Sequence, residues 1–222
     1  MRSWQANFGR GVPVAVFVEN LDRLLEAGGP RALYALQEID EADKPEEMDI
    51  LRRRVRDTHH VVGEHTAVPI LVPFHLELAD ALVTPACKGL ALFTPNRVIN
   101  EAVIQLGPNL AVAVENTHLP RLPDDVSDEV RQELTNRRTD VRKALRTRTR
   151  AHDAGVWVAD TNTRRGWPTI AKGEKTVTDA GIDKAKAWVL PGRKIRITDR
   201  RTVNLTIDGH DAHGARVWWT AA

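Results

Sequence analysis

Three segments of the chain place apolar residues at the spacing of an amphipathic helix. In the first segment, Val14, Val18 and Leu21 recur three or four residues apart, after a proline and before a Gly-Gly-Pro sequence. Proline suits the first turn of a helix and glycine suits its end. The pattern predicts helices over residues 14–27, 45–58 and 124–151.

Short apolar or alternating runs, bounded by Pro, Gly and Asn, indicate strands between and after these helices. The predicted strands cover residues 4–8, 32–39, 69–72, 89–93, 98–106, 109–116, 156–159, 187–190, 194–198, 202–207 and 215–220. Strands outnumber helices and occur in groups. This order favours an α/β (α+β) fold with two packed β-sheets and helices outside them, over a single doubly wound sheet. We expect one domain over residues 1–222.

The formal charge of +2 hides an uneven distribution of charged residues. Residues 1–136 hold 13 Lys and Arg against 21 Asp and Glu, whereas residues 137–222 hold 19 against 9. The two parts therefore carry −8 and +10, which is a reason to look for a polyanionic or phosphate ligand. There is a single cysteine, and no apolar run approaches the length of a membrane span or a signal sequence. We expect a cytoplasmic location.

Polar side chains follow several of the predicted strands, where loops on a rigid sheet commonly build sites. They are Asn7, Glu38, Asn116 with His118, Asp160 with Asn162, and Asp183, which precedes a strand. Each alone could be a turn residue, but together they need a coincidence at every strand end. Carboxylate and amide oxygens are the ligands that Mg²⁺ or Mn²⁺ prefers.

These residues occur in short motifs whose order resembles that of a known family. The motifs are Asn7, Leu36-Gln37-Glu38, Asn116-Thr117-His118-Leu119, Ala159-Asp160-Thr161-Asn162, Gly181-Ile182-Asp183 and an Asp/His cluster near residue 210. The series is similar to the endonuclease/exonuclease/phosphatase superfamily, the DNase I-like group of Mg²⁺-dependent phosphoesterases. The resemblance implies a four-layer sandwich in which helices flank two packed central sheets.

The resemblance also implies a role for each matching residue. Glu38 resembles the principal metal-binding carboxylate, and Asn7 would contact the same ion or the phosphate. His118 resembles the histidine that contacts the scissile phosphate. Asp160 resembles the aspartate that orients or deprotonates the attacking water, and Asn162 the asparagine that binds phosphate.

The end of the chain departs from the family pattern, which usually has Ser-Asp-His before a strand. Asp183 resembles the carboxylate that pairs with this final catalytic histidine, and here either His210 or His213 could fill that place. We favour His210, because Asp211-Ala212 after it fits the usual continuation, and Asp211 is a further candidate metal ligand. A second departure is Ala159 and Thr161, where the family commonly has Gly and Phe.

Basic residues supply candidate contacts to a polyanionic substrate. Seven Lys and Arg fall within residues 137–150, and Arg138, Arg142 and Arg146 share one helical face. This face either contacts phosphates or is simply solvated. The better placed candidates follow the Asp160 motif and are Arg164, Arg165 and Trp167.

The leading interpretation is a metal-dependent phosphodiesterase, most simply a nuclease that hydrolyses DNA or RNA with Mg²⁺ or Mn²⁺. Phosphodiester hydrolysis needs a cation to polarise the phosphoryl oxygen and a base within reach of the attacking water. A phosphatase or phosphodiesterase for a small phosphorylated molecule is the second interpretation. A third is a nucleic-acid-binding protein with this fold whose altered Asp/His segment has weakened catalysis.

Overall fold

The structure is a computed structural model that describes residues 1–8, 12–39, 45–162, 169–171, 173–180, 183–189, 193–207 and 210–221. Its helices are α1 (Val14–Gly28), α2 (Pro45–Val55) and α3 (Asp128–Thr149). Its first strands are β1 (Arg2–Asn7), β2 (Leu33–Gln37), β3 (His59–Val62), β4 (Ile70–Pro73), β5 (Glu77–Cys87) and β6 (Arg97–Gly107). The others are β7 (Leu110–His118), β8 (Ala154–Asp160), β9 (Lys175–Ala180), β10 (Asp183–Val189), β11 (Arg193–Ile207) and β12 (His210–Ala221).

The strands form two six-stranded mixed sheets. Sheet A has the order β11-β12-β1-β2-β4-β3, and sheet B has the order β5-β6-β7-β8-β10-β9. Each sheet contains one parallel pair of strands joined through a helix: α1 connects β1 to β2, and α3 connects β7 to β8. Parallel strands end at the same edge of a sheet, so each pair brings two carboxyl ends together.

Side chains alternate between the two faces of each strand, so that one face packs against the helices and the other faces the second sheet. In β1, Trp4 and Ala6 pack with the helices on the outer side of sheet A, whereas Ser3 and Gln5 face sheet B. Helices α1 and α2 cover sheet A through Phe17, Leu21, Leu24, Met48 and Leu51. Helix α3 covers sheet B and packs Val141 and Leu145 on Trp157. The predicted sandwich of two sheets between helices is confirmed.

Most predicted elements are present, with ends that differ by a few residues. All three helices are confirmed, whereas β3, β5 and β9 were not predicted. The strand predicted over 89–93 is wrong, because this segment is a loop closed by a bridge between Leu90 and Thr94. The strands predicted over 194–198 and 202–207 are one bulged strand, β11. His210 and His213 lie within β12, whereas the sequence placed them before it.

None of the helices in the described part of the chain combines the length and the apolar character that crossing a bilayer demands.

Candidate active site

The carboxyl ends of both parallel strand pairs meet at one edge of the sandwich. Asn7 is the last residue of β1, and Glu38 directly follows β2. From sheet B, His118 is the last residue of β7 and Asp160 the last residue of β8, and the two are register partners. The structure therefore brings together predicted site residues that are far apart in the sequence.

A carboxylate from each sheet lies beside the imidazole of His118. The distance from His118 Nδ1 to Glu38 Oε1 is 3.8 Å, and that from His118 Nε2 to Asp160 Oδ2 is 3.6 Å. One ligand atom from each of the three residues lies within 4.8 Å of the others. Asn7 closes the group from sheet A, because its Nδ2 donates a 2.8 Å hydrogen bond to Asp160 Oδ2. We call these four residues the Glu38 cluster.

Asn162 fixes the geometry of the sheet B side of this cluster. Its backbone N–H donates to Asp160 Oδ1 at 2.7 Å, and its Nδ2 donates to the carbonyl of Leu119 at 2.7 Å. The bond to Leu119 orients the amide, so the Nδ2 that lies 2.9 Å from His118 Nε2 is a donor to that nitrogen. With this assignment, a neutral His118 carries its proton on Nδ1, the nitrogen that faces Glu38.

Arg138 connects the loops that follow β7 and β8 by hydrogen bonds to both. Its side chain is buried, and its guanidinium donates 2.8 Å hydrogen bonds to the carbonyls of Pro120 and Thr161. Burial first, and then the charge of Arg142, lowers the pKa of Arg138 to about 10, although the Asp160 carboxylate acts in the opposite direction. Arg138 thus remains a cation at neutral pH behind Asp160.

Asn116 and Gln37 join the two sheets directly below the cluster. Gln37 Nε2 donates to Asn116 Oδ1 at 2.8 Å, and Asn116 Nδ2 donates to the carbonyl of Leu36 at 2.7 Å. Both side chains are fully buried. Because Gln37 precedes Glu38 and Asn116 is two residues before His118, these bonds hold the two halves of the site in register.

The remaining predicted catalytic residues are only partly within the described structure. The backbone of Asp183 pairs with that of Asp160 between β10 and β8, but the side chains of Asp183 and His210 lie outside the described part. His213 pairs with Gln5 of β1, and its Nδ1 lies 3.2 Å from Thr202 Oγ1. Asp211 is half-buried and lies two residues before His213, in the direction of the Asn7 end of β1.

The predicted substrate contacts receive less support. Arg164, Arg165 and Trp167 all lie outside the described residues. In the basic helix, Arg138 is interior, and Arg148 forms an ion pair with the buried Glu101, with Nε 3.0 Å from Oε2. Arg138 therefore belongs neither to a phosphate-binding face nor to a solvated one, and Arg148 is engaged by a carboxylate of sheet B.

Two buried residues near the site, Gln5 and Gln37, had no function in the sequence interpretation, and a third, Arg138, was placed there only on the basic helical face. Gln5 faces sheet B between the sheets, Gln37 joins the sheets, and Arg138 joins the loops. Alternation along β1 places Gln5 on the same face as Asn7, which was a readable signal. The sequence also signals that Arg138 is interior, because Arg138 falls within the apolar stripe of α3 between Leu134 and Val141.

Known structures share this architecture over nearly the whole chain, and the fold is the DNase I-like one that solved endonuclease/exonuclease/phosphatase family proteins also have. One is TDP2 of D. rerio complexed with single-strand DNA product, with 12% identity, a TM-score of 0.70, and 98% of this chain and 99% of that chain covered. A Beutenbergia cavernae endonuclease/exonuclease/phosphatase has 13% identity, a TM-score of 0.60 and coverage of 98% and 71%. Beta toxin of Staphylococcus aureus has 11% identity, a TM-score of 0.64 and coverage of 97% and 99%. No protein-family model and no curated protein matches the sequence.

Proposed function

We propose that the protein is a metal-dependent phosphodiesterase that hydrolyses nucleic acid. The observation that carries this proposal is the Glu38 cluster, in which two carboxylates from different sheets converge on the buried His118. Buried charges are costly unless they are paired or bind a ligand, so such a group is typical of a functional site.

The cluster has donors that suit a divalent cation. Glu38 and Asp160 offer carboxylate oxygens and Asn7 offers an amide oxygen, which are hard ligands for Mg²⁺ or Mn²⁺. The side chain of Glu38 is more accessible than those of His118 and Asp160. It is 20% exposed, against 6% for His118 and 2% for Asp160. When bound, the cation would polarise a phosphoryl oxygen and offset its developing charge.

The neighbouring side chains have the properties that the remaining steps require. Asp160 is held by Asn7 and by the backbone of Asn162, so one carboxylate orientation is fixed for accepting a proton from water. The Asn162 amide holds the His118 imidazole through Nε2, so the Nδ1–H of His118 is the donor that remains for a phosphate oxygen. In this proposal Asp183 and one of His210 and His213 complete the site.

Nucleic acid is the substrate class that the charge distribution favours. The part of the chain that contains Asp160 and the terminal histidines carries the +10 charge, which attracts a polyanion more than a small neutral ester. The D. rerio TDP2 structure of the same fold is a complex with single-strand DNA product. The fold alone does not decide the substrate, and an experiment must.

The direct experiment compares substrates under one set of conditions. The protein would be incubated with supercoiled plasmid, single-stranded DNA, single-stranded RNA and an inositol phosphate, each with Mg²⁺ or Mn²⁺ and with a chelator control. We expect cleavage of a nucleic acid that requires the metal. Hydrolysis of the inositol phosphate alone would overturn the nuclease assignment and favour the small-phosphoester alternative. Oligonucleotide binding without any hydrolysis would favour the binding-protein alternative.

A further inference from the structure

An exposed tryptophan lies among arginines and a lysine at the end of sheet A that is remote from the Glu38 cluster. Trp218 of β12 is 45% exposed, whereas the next residue, Trp219, is 8% exposed and packs between the sheets. Successive strand residues point to opposite faces, so Trp218 lies on the outer face of sheet A. An exposed indole presents a flat apolar face on which a ligand ring can stack.

The register of β11, β12 and β1 surrounds this ring with positive charge. Directly opposed residues share a face, and Arg196 of β11 opposes Trp218, while Arg2 of β1 opposes Arg216. Arg216 also lies 5.6 Å from the centroid of the Trp218 ring, a cation–π distance. Lys194 is two residues before Arg196 and so shares its face. We call Arg2, Lys194, Arg196, Arg216 and Trp218 the Trp218 platform.

The platform is accessible because α1 ends before reaching it. The last residue of α1, Gly28, lies so close to Trp4 that an added Cβ would be 2.9 Å from its ring. Trp4 is two residues further along β1 than Arg2, on the same face, so α1 ends before the part of the sheet that carries Arg2. Lys194 and Arg196 are exposed and have no ion-pair partner within the described residues, whereas Asp199 pairs with Arg216 at 3.5 Å.

We propose that the Trp218 platform binds single-stranded nucleic acid, with Trp218 stacking on an unpaired base and the surrounding cations contacting phosphates. Arg2 and Asn7 are five residue steps apart along β1, so the platform lies roughly 16 Å from the Glu38 cluster along the strand and on the opposite face of the sheet. It is therefore a second binding surface. The choice of nucleic acid as ligand rests on the proposed function.

The chemistry of the platform disfavours other occupants. A membrane surface would need several apolar side chains to insert, but the other large exposed apolar side chains among the described residues lie on β5 and the loops around it. Those residues are Phe74, Leu82, Val83, Leu92 and Phe93. A second copy of the chain would bring one cationic face against another, which is repulsive. A duplex has no free base face for Trp218 to stack on.

Fluorescence anisotropy with a labelled single-stranded oligothymidylate of about 20 nucleotides, in a chelator that prevents turnover, tests this inference. Losing one stacking contact should raise the Kd of Trp218→Ala about 10-fold. Arg196→Ala should reduce the slope of log K against log salt by about 0.7, the value for one phosphate contact to a single strand. Arg53→Ala on α2, an exposed arginine outside the platform, should behave as wild type.

Specific results would overturn the inference. These are an unchanged Kd for Trp218→Ala, an equal loss for Arg53→Ala, binding to anionic vesicles that depends on Trp218 while oligonucleotide binding does not, or a dimer that Trp218→Ala dissociates. Hydrolysis of bis(p-nitrophenyl) phosphate, which is too small to span both surfaces, separates this inference from the proposed function. If that ester and all nucleic acids resist hydrolysis but oligonucleotide binding still depends on Trp218, the catalytic proposal fails and the platform stands.

Discussion

Two residues of the candidate active site have a backbone conformation that L-amino acids seldom adopt. Glu38 has φ 61° and Asn162 has φ 48°, and they are two of the four non-glycine residues with positive φ in the described part of the chain. Asparagine tolerates this region, but for glutamate it costs about 1–2 kcal/mol. The turn at each strand end directs Glu38 and Asn162 toward His118, which is how strain is commonly stored at functional sites.

The identity of the terminal histidine is a question that single substitutions answer. His213 lies on the face of β12 that points between the sheets, with Ala215 and Val217, and its backbone pairs with Gln5, two residues from Asn7. This position supports His213 for the catalytic role, although the sequence favoured His210. We predict that His213→Ala lowers kcat by at least about 10²-fold, whereas His210→Ala has a small effect.

Steady-state hydrolysis of an oligonucleotide by the two variants, each checked for an unchanged thermal melt, measures this difference. A larger loss for His210→Ala than for His213→Ala would assign the catalytic role to His210. Equally mild losses in both variants would show that neither histidine acts in the site.

The sequence identified the residue types of the site but not all of their functions. Glu38, His118 and Asp160 were predicted from their places at strand ends, and the structure brings them together. Arg138 was placed on a helical face that either contacts phosphates or is solvated, yet it is interior. The sequence does not show what the Arg138 guanidinium binds, because its partners, the backbone carbonyls of Pro120 and Thr161, come near it only after folding.

At the scale of the element, α3 combines packing with support for the site. Its buried residues Leu134, Val141 and Leu145 follow a helical stripe, and Arg138 occupies the position between them. The helix therefore carries a cation to the point where the loops after β7 and β8 come together. Ser127 caps its first turn by accepting a hydrogen bond from the backbone N–H of Val130.

We predict that Arg138→Met lowers both stability and turnover. The variant leaves the carbonyls of Pro120 and Thr161 without their donor, which should cost about 3 kcal/mol of unfolding free energy. It also frees the loops that carry Asn162 and Leu119, so kcat should fall at least about 10-fold under conditions where the variant remains folded.

Urea unfolding and oligonucleotide hydrolysis measure the two effects. Arg131→Met is the matched control, because Arg131 lies on the same helix and donates to one carbonyl at an exposed position. A variant Arg138→Met with full stability and activity would contradict the positioning role.

Under the carboxyl-terminal end of α3, two buried glutamates lie side by side on sheet B. Glu101 and Glu115 are cross-strand neighbours on β6 and β7, and both are buried. Arg148 and His152 contact Glu101, with His152 Nε2 3.1 Å from its Oε1. Burial first, and then the charge of Glu101, raises the pKa of Glu115 well above its ordinary value.

This shift predicts that Glu115→Gln stabilises the protein at neutral and alkaline pH. Between the ordinary and the raised pKa, folded Glu115 keeps a proton that the unfolded chain has released, so the stability of the wild type falls as pH rises through this window. Glutamine has no proton to lose. We expect Glu115→Gln to raise the Tm by about 2–4 °C at about pH 8, and the gain to vanish at about pH 4.5.

Thermal melts over this pH range provide the measurement, and Glu101→Gln provides the control. Because Glu101 pairs with Arg148, its substitution should lower the Tm at neutral pH. A Glu115→Gln variant that is less stable at about pH 8 than at about pH 4.5, relative to wild type, would contradict the raised pKa.

The elements that the sequence missed share a physical cause. Strand β5 is an edge strand whose residues are mostly exposed, so it lacks the alternation that one buried face produces. Conversely, the apolar run over 89–93 has the composition of a strand, but Leu92 within it is fully exposed and has φ 67°. A run of a few residues does not show whether a partner strand exists, and that partner decides between strand and loop.

At the scale of the whole molecule, the candidate site exists only because two sheets meet. Asn7 and Glu38 come from sheet A, and His118, Asp160 and Asn162 come from sheet B. Asn116 and Gln37 hydrogen bond across the gap and set the distance between the two groups. The grouping of the strands predicts two sheets, but their strand order and mutual register depend on contacts between residues far apart in the sequence, such as Leu36 and Asn116, 80 positions apart, and Asn7 and Asp160, 153 positions apart.

The central claim is that this meeting point hydrolyses phosphodiesters with a metal ion, and Glu38→Gln tests it most directly. The substitution keeps the size of the side chain and removes the charge that faces His118 and that would hold the ion in this proposal. Metal-dependent cleavage of a labelled single-stranded oligonucleotide would be measured for wild type, Glu38→Gln and Glu77→Gln, which alters an exposed carboxylate on β5. We predict that Glu38→Gln lowers the rate by at least about 10²-fold while Glu77→Gln matches wild type. A Glu38→Gln variant that cleaves as fast as Glu77→Gln would contradict the account.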